Sequence, residues 1–157
     1  MGRVIGVNRM AELRKSWRSC RVVFTNGVFD LIHYGHLKLL QDCKILGDVL
    51  IVGLNSDASV RKIKGPRRPI MPFKERSKIL AALEPVDYVV SFSDETPLKL
   101  IKKLKPDVLV KGSDYKVKEI VGAEEVKGWG GEVRRVKLLP GHSTSELIKK
   151  IGKLSAL

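Results

Sequence analysis

RVVFTNGVFDLIHYGHLKLL, residues 21–40, decides the fold. It opens with an apolar run of strand length, Arg21–Thr25, turns through Asn26 and Gly27, and passes into Leu37, Leu40 and Cys43 at helical spacing. That helix should stop at Gly47, a plausible glycine just past a helix end. Outward from this unit the alternation repeats, with strands expected at Asp48–Leu54, Asp87–Phe92, Asp107–Val110 and Glu132–Leu138. Most are near-continuous apolar runs, as in parallel strands covered on both faces. Phe73, Ile79, Leu80 and Leu83 mark a helix with Pro72 near its first turn; another begins at Thr96 and Pro97; a last opens with Ser143 and Glu146 as a capping box. The expected fold is α/β: a Rossmann-like open parallel sheet of about five strands with helices on both faces. Residues 1–20 read as a basic N-terminal extension with a short helix over Asn8–Trp17, an appendage to a domain at 21–157.

The chain has 157 residues, 43% of them apolar, enough for one domain with a core that needs no staples. Its longest clean apolar stretch, Val49 to Leu54, is far short of the ~20 residues of a membrane span, and no signal-peptide core precedes it. A cytoplasmic location without a membrane partner is expected. Cys20 and Cys43 then read as reduced thiols.

Thirty Lys and Arg against 17 Asp and Glu give a formal charge of +13. Residues 1–21 account for +5. Residues 61–78, with eight cations and only Glu75, account for +7. Gly65, Pro66, Pro69 and Pro72 mark the second cluster as a loop, and a basic loop suggests a polyanionic partner. Nucleic acid is one candidate. Against it, aromatic content is 6% and no RRM, KH or zinc-finger pattern appears, so no nucleic acid is expected.

Ligands of open α/β sheets bind beyond the carboxyl ends of the strands. Four such places here are polar: Thr25 to His36; Asn55-Ser56-Asp57 leading to Lys64, Arg68 and Arg76; Lys111-Gly112-Ser113-Asp114-Tyr115; and Gly141-His142-Ser143-Thr144-Ser145. Gly27 can let a backbone N–H approach a phosphate, and His33 and His36 can point into one space at a helix start. With no further Cys/His pair at ligand spacing, zinc is not expected, and the glycine-rich phosphate-loop and dinucleotide fingerprints are missing.

His33-Tyr34-Gly35-His36 after a strand, with Ser143-Thr144-Ser145 opening the last helix, resembles the H-x-G-H and S-T-T elements of the cytidylyltransferase-like nucleotidyltransferase superfamily. Thr25 to Asp30, Gly53 to Val60, Lys64 to Ile70 and Val110 to Tyr115 are similar to the D-glycero-β-D-manno-heptose 1-phosphate adenylyltransferases, and Val121 to Val126 extends the likeness. The likeness covers residues 21–152 and points to the stand-alone form. Two departures stand out: Ser145 replaces the usual second threonine, and Leu138 to His142 is shorter and lacks an arginine found in some relatives.

The resemblance implies AMP transfer from ATP to heptose 1-phosphate, without a covalent intermediate. His33, His36, Lys64 and Arg76 would be catalytic. Thr25, Asn26, Gly27, Phe29, Lys111, Gly112, Asp114, Ser143 and Thr144 would bind nucleotide with the histidines. Asp30, Asn55 and Arg68 would join Lys64 and Arg76 on the sugar phosphate. Magnesium is expected through the phosphates rather than through protein side chains. Dimerisation, common among such enzymes, fits a domain of this size. A glycerol 3-phosphate cytidylyltransferase or an FAD synthetase would share these histidines and this fold.

Overall fold

The computed structural model describes residues 1–154. Its centre is β2 (Val22–Gly27), which pairs in parallel with β3 (Val49–Asn55) on one side and β5 (Val108–Gly112) on the other. Beyond β3 lies β4 (Tyr88–Phe92), and beyond β5 lies β6 (Glu132–Val136). A further strand, β1 (Arg3–Ile5), pairs in parallel with β4, so the sheet has six strands in the order β1-β4-β3-β2-β5-β6.

Successive side chains of a strand face opposite ways, so the apolar runs feed two cores. Phe24, Ile51, Val90 and Leu109 point to one face, under α1 (Val7–Ser16), α5 (Leu98–Leu104) and α6 (Ala123–Gly128). Val23, Leu50, Val52, Val89, Val108 and Val110 point to the other, under α2 (Tyr34–Lys44) and α4 (Phe73–Ala82). Cys20 and Cys43 are free thiols, and burial pushes Cys43 up to about 12.

Three expectations need correction. The N-terminal segment is no appendage: β1 is hydrogen-bonded into the sheet, and Met10 on α1 is wholly buried in the first core. The basic stretch 61–78 is not one loop, because α3 (Asp57–Lys64) carries residues 61–64 and α4 carries 73–78, leaving only 65–72 between them. Ser56 caps that helix by accepting from the Ser59 N–H at 3.2 Å, Asp57 lies in its first turn, and Gly65 ends it at φ 93°. Gly47 is no left-handed cap; a Cβ there would lie 2.5 Å from the Arg21 carbonyl oxygen, so the glycine serves a close approach. Ser143 and Glu146 pair at the start of α7 (Thr144–Leu154) as the sequence indicates, with one change from a capping box: Glu146 N–H donates to Ser143 Oγ, and the Glu146 carboxylate accepts from the Ser143 hydroxyl rather than from its backbone N–H.

The chain winds outward from β2 in both directions. The carboxyl end of β2 is therefore the crevice where loops from the two halves part.

Candidate active site

A cleft opens at this point, with two lobes of about 450 and 350 Å³. They share a wall made by Asn26–Phe29, His36, Lys64, Lys111, Tyr115 and Thr144. The smaller lobe adds Thr25, His33, Gly112, Asp114, His142 and Ser143; the larger adds Asp30, Asn55 and Arg68. Four polar strand ends separated in sequence thus meet around one space.

His33 sits at the N-cap of α2 in extended conformation, and His36 lies in the first turn. Their rings stack with centroids 3.8 Å apart. Burial pushes His36 down to about 4, with His33 adding to the shift, and burial followed by His142 lowers His33. Both imidazoles are therefore neutral at pH 7. Gly35 is what permits the packing: a Cβ there would lie 3.0 Å from both His33 Nδ1 and His142 Cβ. Phe29 approaches His36 from the turn, ring centroids 5.1 Å apart, and holds a left-handed φ of 45° while its side chain is buried.

Four buried side-chain polar atoms among the described residues lack a hydrogen-bond partner, and three line this cleft: Asn26 Oδ1, His33 Nδ1 and His36 Nδ1. Buried polar atoms are ordinarily paired, so such a concentration marks a place that receives a ligand. Lys111 Nζ extends over β2 and donates to the Asn26 carbonyl at 3.3 Å; burial pushes this ammonium down to about 8, against the opposing effect of Asp114.

Asp30 is 1% exposed and accepts from the backbone N–H of Ile70 at 2.9 Å, from that of Met71 at 2.8 Å and from Arg68 Nε at 2.6 Å. It clasps the 65–72 loop and is not open to a sugar phosphate as the sequence suggested. Arg68 spends only Nε on that pair, leaving both Nη groups without partners among the described residues. The Asn55 side chain donates to Ser59 Oγ at 2.9 Å. Thr25 is buried and donates its hydroxyl to the Val110 carbonyl.

Arg76 departs furthest from expectation. It is wholly buried and lines neither lobe. Its guanidinium donates to the carbonyls of Met71, Val28 and Asn55 and to Asp57 Oδ1 at 2.6–3.0 Å, tying the β2 turn to the end of β3. Arg76 positions the site: it is wholly buried outside both lobes and spends four of its five N–H donors on protein oxygens, away from any phosphate.

Sequence reasoning also missed part of the larger lobe: Phe92 at the end of β4, Glu95, Thr96 and Pro97 after it, and Glu119, Ile120 and Val121 before α6. The strand-end rule points to residues after Phe92. His142, quoted only as part of a motif, lines the smaller lobe.

Fold and site define a Rossmann-like domain of the nucleotidyltransferase type, with neutral histidines and cations gathered at the sheet's crossover. The chain belongs to the cytidylyltransferase-like family, whose sequence profile matches residues 24–150. It is 54% identical over 141 residues to the bifunctional protein HldE of Citrifermentans bemidjiense, covering 90% of this chain and 29% of that protein. It is 51% identical over 151 residues to HldE of Wolinella succinogenes, covering 95% and 31%. The chain thus spans less than a third of the length of these curated relatives. Among solved structures, the lipopolysaccharide core biosynthesis protein of Thermoplasma volcanium superposes with a TM-score of 0.62 at 29% identity, over 77% of this chain and 98% of that one. Pantoate-beta-alanine ligase of Francisella tularensis shares the fold, with a TM-score of 0.65 at 15% identity, over 100% and 79%. No helix among the described residues is long and apolar enough to cross a membrane.

Proposed function

We propose that the chain transfers AMP from ATP to D-glycero-β-D-manno-heptose 1-phosphate, giving ADP-heptose and pyrophosphate. The observation that carries this is convergence: the stretches Thr25–Asp30, Lys64–Ile70 and Val110–Tyr115, which carry the resemblance to heptose 1-phosphate adenylyltransferases, all reach one cleft. The HldE relatives and the lipopolysaccharide core biosynthesis protein support the same assignment.

The smaller lobe takes the nucleotide. Ser143 and Thr144 present the amino end of α7 to phosphate, and His33 and His36 donate neutral N–H bonds as charge develops on the phosphoryl oxygens. The larger lobe takes the acceptor. Lys64 and the free Nη groups of Arg68 face an anion there, while Glu95 and Glu119 line the same lobe. Carboxylates repel a phosphate but accept from hydroxyls, so an acceptor with one anionic end and a polyol body suits the lobe.

The acceptor phosphate oxygen attacks the α-phosphorus, a new P–O bond forms, and the bond to the bridging oxygen breaks with its electron pair leaving on pyrophosphate. The nucleophile is already an anion, so no base is needed; alignment and charge neutralisation do the work. Magnesium belongs to this proposal as the counter-ion of the triphosphate. The cleft fits a metal carried in by phosphate, since its nucleotide lobe offers one carboxylate, Asp114, among imidazoles, ammonium groups and hydroxyls, no cluster of three metal-ligating side chains occurs among the described residues, and Asp30 is already spent on Arg68.

The test is pyrophosphate release with magnesium and the heptose phosphate, comparing ATP, CTP, GTP and UTP. Selective turnover of ATP is expected. No release from folded protein with any nucleotide removes the heptose assignment, and glycerol 3-phosphate and FMN are the next acceptors.

A further inference from the structure

We propose that Lys111 is a catalytic residue whose ammonium meets the phosphoryl group in transfer, and that in alkaline solution, where it would otherwise lose its charge, it takes up a proton as the substrate phosphates arrive. The inference rests on the nucleotidyl-transfer reading and concerns where the positive charge for that reaction comes from.

The transferred group must sit where the two lobes join. Three basic side chains line both lobes: His36, Lys64 and Lys111. His36 stacks on His33 and is buried, so it enters the reaction neutral. Lys64 ends α3 on the exposed surface, where water screens its charge. Lys111 differs from both. It rises from the penultimate residue of β5 into the wall common to the lobes and is half-buried there.

Lys111 has almost nothing to balance a charge. No carboxylate among the described residues pairs with it; its one hydrogen bond is the long contact to the Asn26 carbonyl, and the Tyr115 ring centroid is 5.5 Å away. Even half-buried, an ammonium so poorly compensated is disfavoured until a partner arrives. The groups facing it supply none. His33 and His36 on the α2 side are neutral, and Lys64 from α3, which lines the same wall, carries the same sign of charge. On its own loop Asp114 favours the charge only from a distance, while Asp30 beyond β2 is spent on Arg68. Glu95 and Glu119 line the larger lobe away from the shared wall, and His142 lines the smaller. Substrate phosphate is the missing counter-charge. The proton gained on binding returns to solvent when pyrophosphate and product leave.

Calorimetric titration with magnesium α,β-methylene-ATP at pH 9, in two buffers of different ionisation enthalpy, reads this directly. A group titrating at about 8 is mostly neutral at that pH, so the wild type should take up close to one proton per nucleotide bound. Lys111→Met should bind without uptake and lose about 10²–10³-fold in kcat, with a much smaller change in the KM for ATP. Lys111→Arg, permanently charged, should bind without uptake and keep more turnover than the methionine variant; the wild-type fall in kcat/KM above pH 8 should vanish in it. Wild-type binding and pyrophosphate release without proton uptake, or undiminished uptake in Lys111→Met, overturns the role of Lys111 alone. Absence of both binding and release overturns the nucleotidyl-transfer reading beneath it.

Discussion

Asp30 accepts from Arg68 Nε at 2.6 Å across 38 residues of sequence, and the same carboxylate holds the backbone N–H groups of Ile70 and Met71. The basic loop is therefore fixed to the β2 turn before any ligand binds, and Arg68 is presented with its Nη groups free.

Asp30→Asn should loosen this clasp and cost about 2–3 kcal/mol of stability. Burial alone would raise the Asp30 carboxyl, but the N–H groups of Met71 and Ile70 and the Arg68 guanidinium outweigh it and hold the group below its ordinary value. Its contribution is then present above pH ~4 and lost as pH falls further. Urea midpoints of variant and wild type should converge in acid; a constant gap at all pH values would exclude the ionic role. Arg68→Ala should raise the KM for sugar phosphate at least about tenfold with little change in kcat.

Replacing His36 separates chemistry from binding. His36→Asn should lower kcat by about 10²–10³-fold while nucleotide affinity changes little. The unfolded chain protonates this histidine near its ordinary 6.5, whereas the folded protein resists until about 4, so stability falls as pH drops through that interval. The full difference is ~3 kcal/mol. Unfolding measured from pH 7 to 4 should show a shallower loss in His36→Asn, and an identical slope would contradict a buried, neutral ring.

Arg76→Met should destabilise by about 3–5 kcal/mol, because it strands the carbonyls of Val28 and Asn55 and the Asp57 carboxylate. Lysine at this position, lacking the planar fork, should rescue little. A variant of normal stability with only a raised KM for sugar phosphate would return Arg76 to the substrate.

Met10→Ala tests whether the N-terminal segment belongs to the domain. With Met10 fully buried beside Ile101 and Leu104, the loss should be about 2–5 kcal/mol by chemical denaturation. Less than about 0.5 kcal/mol, the usual size for a surface change, would make α1 an appendage.

Strands β2 to β5 were legible because burial on two faces turns them into largely apolar runs, and α7 because Ser143 and Glu146 spell a capping box; β6, EVRRV, carries only Val133 and Val136 as its apolar signal. β1 was not, since an edge strand of three residues with Arg3 and Val4 exposed leaves no periodicity to read. Charge misled twice. Lysines and arginines over 61–64 hid α3, and Arg76 looks the same in sequence whether it faces phosphate or four oxygen acceptors in the interior. His33, His36 and Lys111 were visible as residues, but the neutral state of the rings and the isolation of the ammonium come from burial, which spacing does not encode. The wall after β4 was missed because Glu95-Thr96-Pro97 reads as a helix start.

The pairing of β1 with β4 sets an order of assembly on the ribosome. Arg3 lies opposite Tyr88, so β1 has no strand neighbour until β4, made long after it, has left the exit tunnel. Met10 waits longer, because its cover includes Ile101, Leu104 and Val126. The N-terminal segment thus docks only once elements far along the chain exist, and a nascent chain halted before α5 would leave its apolar face open to chaperones.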